Sequence, residues 1–220
     1  SNILANLFRR IATGSSSPLQ LAPAISRSIA LAAMTIAAPA PTDAELRALA
    51  ARLDRPLVLV GMMGVGKSTI GRKLALLLGL PFIDSDDEIE AAAQLKITEI
   101  FERFGEQDFR DGERRVLARL MDAGPSVVAT GGGAFVQPET RELILQRGIA
   151  VWLDAELDTL VARVGRKDTR PLLRNGDPRE ILARLKAERE PAYAQAPIKV
   201  TSDHGPHAET VNRILQALDQ

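Results

Sequence analysis

Two periods of apolar residues alternate along the chain from Pro56 onward. Short, largely apolar runs at Leu57–Val60, Phe82–Asp84, Val127–Thr130, Ile149–Leu153 and Ile198–Thr201 have the composition of strands buried on both faces of a parallel sheet. Between them the spacing turns helical: over 67–80, over 86–94 and 98–121, after Pro138, over 156–164, past residue 177, and over 209–218. Gly79 and Pro81 mark where the first of these helices stops. Strands alternating with helices predict an α/β fold of three layers, αβα, around a central parallel sheet of about five strands. The charged, glycine-bearing stretch Gly165–Asp177 is too long for an ordinary connection and is expected to be a loop with a job of its own.

Ahead of this pattern, Leu46, Leu49, Ala50 and Leu53 recur at helical spacing behind Thr42 and Asp43. Residues 43–55 are therefore expected to form a lead-in helix and linker, and residues 56–220 the compact domain. Residues 1–42 hold no Asp or Glu, three Arg, and many Ser, Ala and Pro. They read as a disordered tail, with an organelle-targeting segment as the alternative. The longest apolar stretch there, Ile29–Ala38, reaches about half of the roughly 20 residues that span a bilayer, so no membrane anchor is expected.

Composition narrows the chemistry. The 220 residues carry 28 basic and 28 acidic side chains, so no overall field favours nucleic acid or an anionic membrane, and any anion site has to be local. Cysteine is absent, which excludes disulfides, thiolate metal sites and thiol nucleophiles. The two histidines, His204 and His207, lie in a polar stretch and read as solvated loop residues.

Gly61-Met-Met-Gly64-Val65-Gly66-Lys67-Ser68 fits G-x-x-x-x-G-K-[ST] and stands between a predicted strand and a predicted helix. That context is what the chemistry needs. Glycines let the backbone curl so that its N–H groups and the helix N-terminus face phosphate oxygens. Gly64, Val65, Gly66, Lys67, Ser68 and Thr69 are thus expected at ATP, with Lys67 on the β- and γ-phosphates and Ser68 at Mg²⁺. Asp84 and Asp86 close the second strand, at the carboxyl edge where open parallel sheets bind ligands, although such a pair also reads as a helix cap. Arg110 and Glu113 share a helix face, and Gly131, Gly132 and Gly133 follow the third strand, offering unobstructed amides. Thr169-Arg170-Pro-Leu-Leu lies in the long loop, and Glu188-Arg189-Glu-Pro191-Ala-Tyr193 in the helix after it.

In this order and spacing, the segments GMMGVGKST, DSD, FRDGE, GGG, TRPLL and EREPAY closely resemble the shikimate kinase family from about Leu57 to the C-terminus. The resemblance implies a P-loop kinase fold with a mobile lid at about 165–177, and transfer of the γ-phosphoryl group of ATP to shikimate. It further implies Asp84 and Ser68 at the metal, Asp86 at the acceptor hydroxyl, and Arg110 and Arg189 on the acceptor carboxylate. Glu113 would orient Arg110, Gly131–Gly133 would line the ring side, Arg163 would flank adenine, and Arg170 would reach the transferring phosphoryl group. The expected partners are ATP and shikimate, with Mg²⁺ as cofactor, for a cytoplasmic monomer that binds neither nucleic acid nor membrane. The rival reading is another small P-loop metabolite kinase, such as a gluconate kinase.

Overall fold

The computed structural model describes residues 41–165, 176–202 and 205–219. Its sheet has five parallel strands in the order β2-β3-β1-β4-β5, namely β1 (Leu57–Val60), β2 (Phe82–Asp84), β3 (Val127–Ala129), β4 (Ile149–Asp154) and β5 (Ile198–Thr201). β1 takes the middle because it is apolar at every position: Leu57, Val58, Leu59 and Val60 are all fully buried. It pairs with β3 through Leu57↔Val127 and with β4 through Leu57↔Ile149.

The helices are α1 (Asp43–Arg52), α2 (Lys67–Leu78), α3 (Ser85–Ala93), α4 (Ile97–Met121), α5 (Pro138–Arg147), α6 (Leu157–Val164), α7 (Pro178–Tyr193) and α8 (His207–Leu218). Thr42 caps α1 by accepting from the Glu45 amide while the Glu45 carboxylate accepts from the Thr42 amide. Gly79, with a φ of +64°, ends α2 in the left-handed region. The three-layer expectation holds, and the element boundaries fall within one or two residues of those read from periodicity. Among the described residues, no helix is long and apolar enough to cross a membrane.

Two findings go beyond the sequence pattern. The buried core takes in Leu46 and Leu49 of α1 and the capping Leu53 together with residues from Leu57 onward, so α1 belongs to the packed body. The helix expected to run unbroken to Met121 is interrupted at Gly105, whose φ of +82° and ψ of 179° no α-helix contains. Drawn from both sides of this break, a second, smaller core gathers Ile89, Ile100 and Phe109, with Leu95, Ile97, Phe101 and Val116 around it.

Candidate active site

The loop between β1 and α2 is held by three left-handed glycines, Gly61, Gly64 and Gly66, with φ of +132°, +82° and +103°. At Gly61 a Cβ would stand 2.3 Å from the Leu153 carbonyl oxygen, and at Gly64 2.6 Å from a Val164 methyl. No side chain is tolerated at either position. Lys67 opens α2 and folds back, its buried Nζ donating to the carbonyls of Gly61 at 2.8 Å and Met62 at 3.0 Å. Beside it Ser68 Oγ donates to Asp84 Oδ2 at 2.7 Å. Thr69 is exposed on the same first turn.

Asp84 uses its other oxygen to accept the Asp86 amide at 3.2 Å, making it the cap of α3. The cap and the Ser68 contact thus coexist on one side chain. Asp86 points elsewhere. Its Oδ1 and Glu113 Oε1 lie 2.8 and 3.1 Å from where a Cβ on Gly131 would be, so these carboxylates flank one glycine. Burial, and then the nearby Asp84 charge, raise the Asp86 pKa, while Lys67 pulls it back.

Side chains crowd the place of a Cβ at Gly131 and Gly133, whereas at Gly132 its nearest neighbour would be the Met63 amide nitrogen at 3.3 Å. The Arg110 guanidinium would meet a Cβ on Gly133 at 2.8 Å, and Arg189 Nη1 one on Gly132 at 3.6 Å. The Gly132 carbonyl accepts from both Arg189 Nη1 (3.3 Å) and Tyr193 Oη (2.5 Å), while the Gly131 amide donates to the buried Ser85 hydroxyl at 3.3 Å. Arg110 gives Nη1 to Glu113 Oε2 at 3.1 Å and Nη2 to Glu106 Oε1 at 2.9 Å. Glu113 is 1% exposed, and burial drives its pKa to about 7 against the opposing pull of Arg110. One face of the sheet's carboxyl edge therefore carries a cation-lined loop, a hydroxyl–carboxylate pair and a pocket of two arginines and two carboxylates.

The remaining expected residues divide. Arg163 reaches the loop rather than open space, donating to the Val65 carbonyl at 3.0 Å and to Ser202 Oγ at 3.2 Å. Ser202 is fully buried and also donates to Val65 O, a brace invisible in the sequence because no motif marks it. His207 corrects an expectation. It begins α8 rather than lying in a solvated loop, its ring stands 3.6 Å from where a Gly66 Cβ would be, and its Nδ1 is buried without a partner. Desolvation, with Arg163 and Lys73 nearby, lowers its pKa. Arg170, His204 and most of the segment 165–177 lie outside the described residues.

The family described as "Shikimate kinase" matches residues 63–219, which spans the loop, the carboxylates and both arginines. The chain belongs to the shikimate kinase family. A shikimate kinase of Novosphingobium aromaticivorans is 63% identical over 183 residues, covering 81% of this chain and 95% of the relative. The solved shikimate kinase of Acinetobacter baumannii, in complex with shikimate, superposes with a TM-score of 0.73 at 38% identity, over 80% of this chain and 97% of that one. A gluconokinase of Sinorhizobium meliloti shares only the fold, with a TM-score of 0.51 at 20% identity, over 74% of this chain and 91% of that one.

Proposed function

We propose that the chain transfers the γ-phosphoryl group of ATP to a ring hydroxyl of shikimate, and that the residues brought together at the sheet edge divide this task. The observation that carries the reading is the placement of Asp86 between the two half-sites. It follows the Ser68–Asp84 pair directly on α3 and shares the surface of Gly131 with Glu113.

The loop from Gly64 to Thr69 holds the triphosphate with its amides and the helix N-terminus. Lys67 exchanges its loop carbonyls for phosphate oxygens, and with Arg170 balances the charge that spreads over the transferring group. A serine hydroxyl beside one carboxylate, both hard oxygen donors, suits Mg²⁺, which keeps most of its own waters and takes phosphate oxygens as further ligands. When bound there, the ion neutralises phosphate charge. Arg110 and Arg189 supply planar forks for the acceptor carboxylate, Glu113 holds Arg110 from beneath, and Gly132 faces the ring. Asp86 aligns the acceptor hydroxyl and takes its proton, a role that its raised pKa favours because basicity rises with pKa. Arg163, which braces the loop at Val65, stands at the adenine side.

An ADP-release assay with shikimate, gluconate, AMP or no acceptor tests this reading. ADP formation that depends on shikimate supports it. Equal turnover with gluconate would replace it with the rival kinase.

A further inference from the structure

Arg110 has more donors than its fixed partner can use. Glu113, buried beneath it, takes Nη1, and Glu106, whose side chain is 66% exposed, takes Nη2. The Nε–H of Arg110 is buried and has no partner. A guanidinium binds a carboxylate most strongly through two parallel N–H bonds, one from Nε and one from an Nη. Glu106 supplies one oxygen to Nη2 and leaves Nε unused. It stands on the residue that follows the break at Gly105, where nothing lies within 4 Å of an added Cβ.

We propose that Glu106 is a stand-in for the acceptor carboxylate. It holds the Arg110 fork in place until the acceptor arrives, then yields Nη2 to it. This rests on the reading of Arg110 as the carboxylate clamp. The exchange runs in the acceptor's favour because the incoming carboxylate satisfies Nε as well as Nη2, whereas an exposed pair such as Glu106–Arg110 is weak. It also makes Glu106 a specificity residue. An acceptor without a carboxylate cannot repay the broken pair, so neutral sugars and polyols meet an arginine already occupied.

Steady-state kinetics of the full chain test the exchange with Glu106→Gln, which keeps the shape and loses the charge. The shikimate KM is expected to fall about two- to fivefold, the range a weak exposed pair allows, with the ATP KM within about twofold. With shikimate methyl ester, which carries no acceptor charge, the substitution should leave KM unchanged. A rise in shikimate KM, no change in it, or an equal fall with the ester would each overturn the proposal. Arg110→Met separates this from the underlying reading. If it fails to raise the shikimate KM selectively, the clamp assignment falls. If it does raise it while Glu106→Gln has no effect, only the exchange falls.

Discussion

Asp84 and Asp86 lie two positions apart and act in different directions. Asp84 spends one oxygen on the Asp86 amide and the other on Ser68, so Asp84→Asn keeps a cap acceptor and the fold while losing the charge that suits a cation. Its activity is expected to recover in part as Mg²⁺ is raised. On the proposed role of Asp86, Asp86→Asn removes the basic group assigned to the acceptor hydroxyl, and kcat should drop by about 10²- to 10⁴-fold with no rescue by Mg²⁺. A reversed pattern of rescue would exchange the two roles. Glu113 gives a different kind of readout. Its folded pKa of about 7 stands above the ordinary 4.5, so the folded state keeps a proton that the unfolded chain releases between those values. That stabilising contribution is complete below about pH 4.5 and is lost as the pH rises through about 7. Denaturant midpoints of the wild type should therefore decline across this window relative to those of Glu113→Gln. Parallel midpoints would show that the burial of Glu113 does not govern its titration. At this scale the motif residues were legible because their chemistry fixes their spacing. The brace of Arg163 and Ser202 on Val65, and the desolvated His207, were not legible, because they depend on where α6, β5 and α8 come to lie.

Among the elements, β1 and β3 could be read from the sequence because a strand buried on both faces leaves no polar position in its run, and β2, β4 and β5 because their apolar runs recur between helical segments even where Asp84, Asp154, Lys199 and Thr201 interrupt them. The interruption of α4 could not. Ile100, Phe101 and Phe109 continue an apolar pattern on either side of Gly105, and a glycine within a helical pattern is an ordinary occurrence. Only the backbone angles show that this glycine sits in a region nearly closed to other residues. Gly105→Ala meets no atom within 4 Å, so its cost is conformational alone, about 1–3 kcal/mol in unfolding free energy. If the break also sets the position of Glu106 and Arg110, the shikimate KM should change while the ATP KM does not. A fully stable variant with unaltered KM values would make the break incidental.

At the scale of the molecule, α1 is part of the packed body among the described residues. Deleting residues 1–41 is expected to leave turnover nearly intact, since the family match starts at residue 63. Extending the deletion through residue 55 should be costly, because Leu46, Leu49 and Leu53 are each buried at about 1.5–3 kcal/mol. Thermal melting of the two truncations separates these outcomes, and a longer truncation as stable as the shorter would remove α1 from the core. The two hydrophobic clusters carry a consequence for descent. Asp86, Arg110 and Glu113, proposed above to face the acceptor, are borne by α3 and α4, which share a small core, although Leu117, Leu120 and Met121 at the end of α4 join the main core on which the loop of Lys67 stands. The two cores share Val116 at their border and little else. Change confined to Ile89, Ile100 and Phe109 can therefore shift how Asp86 and Arg110 are held while the main core beneath Lys67 stays as it is.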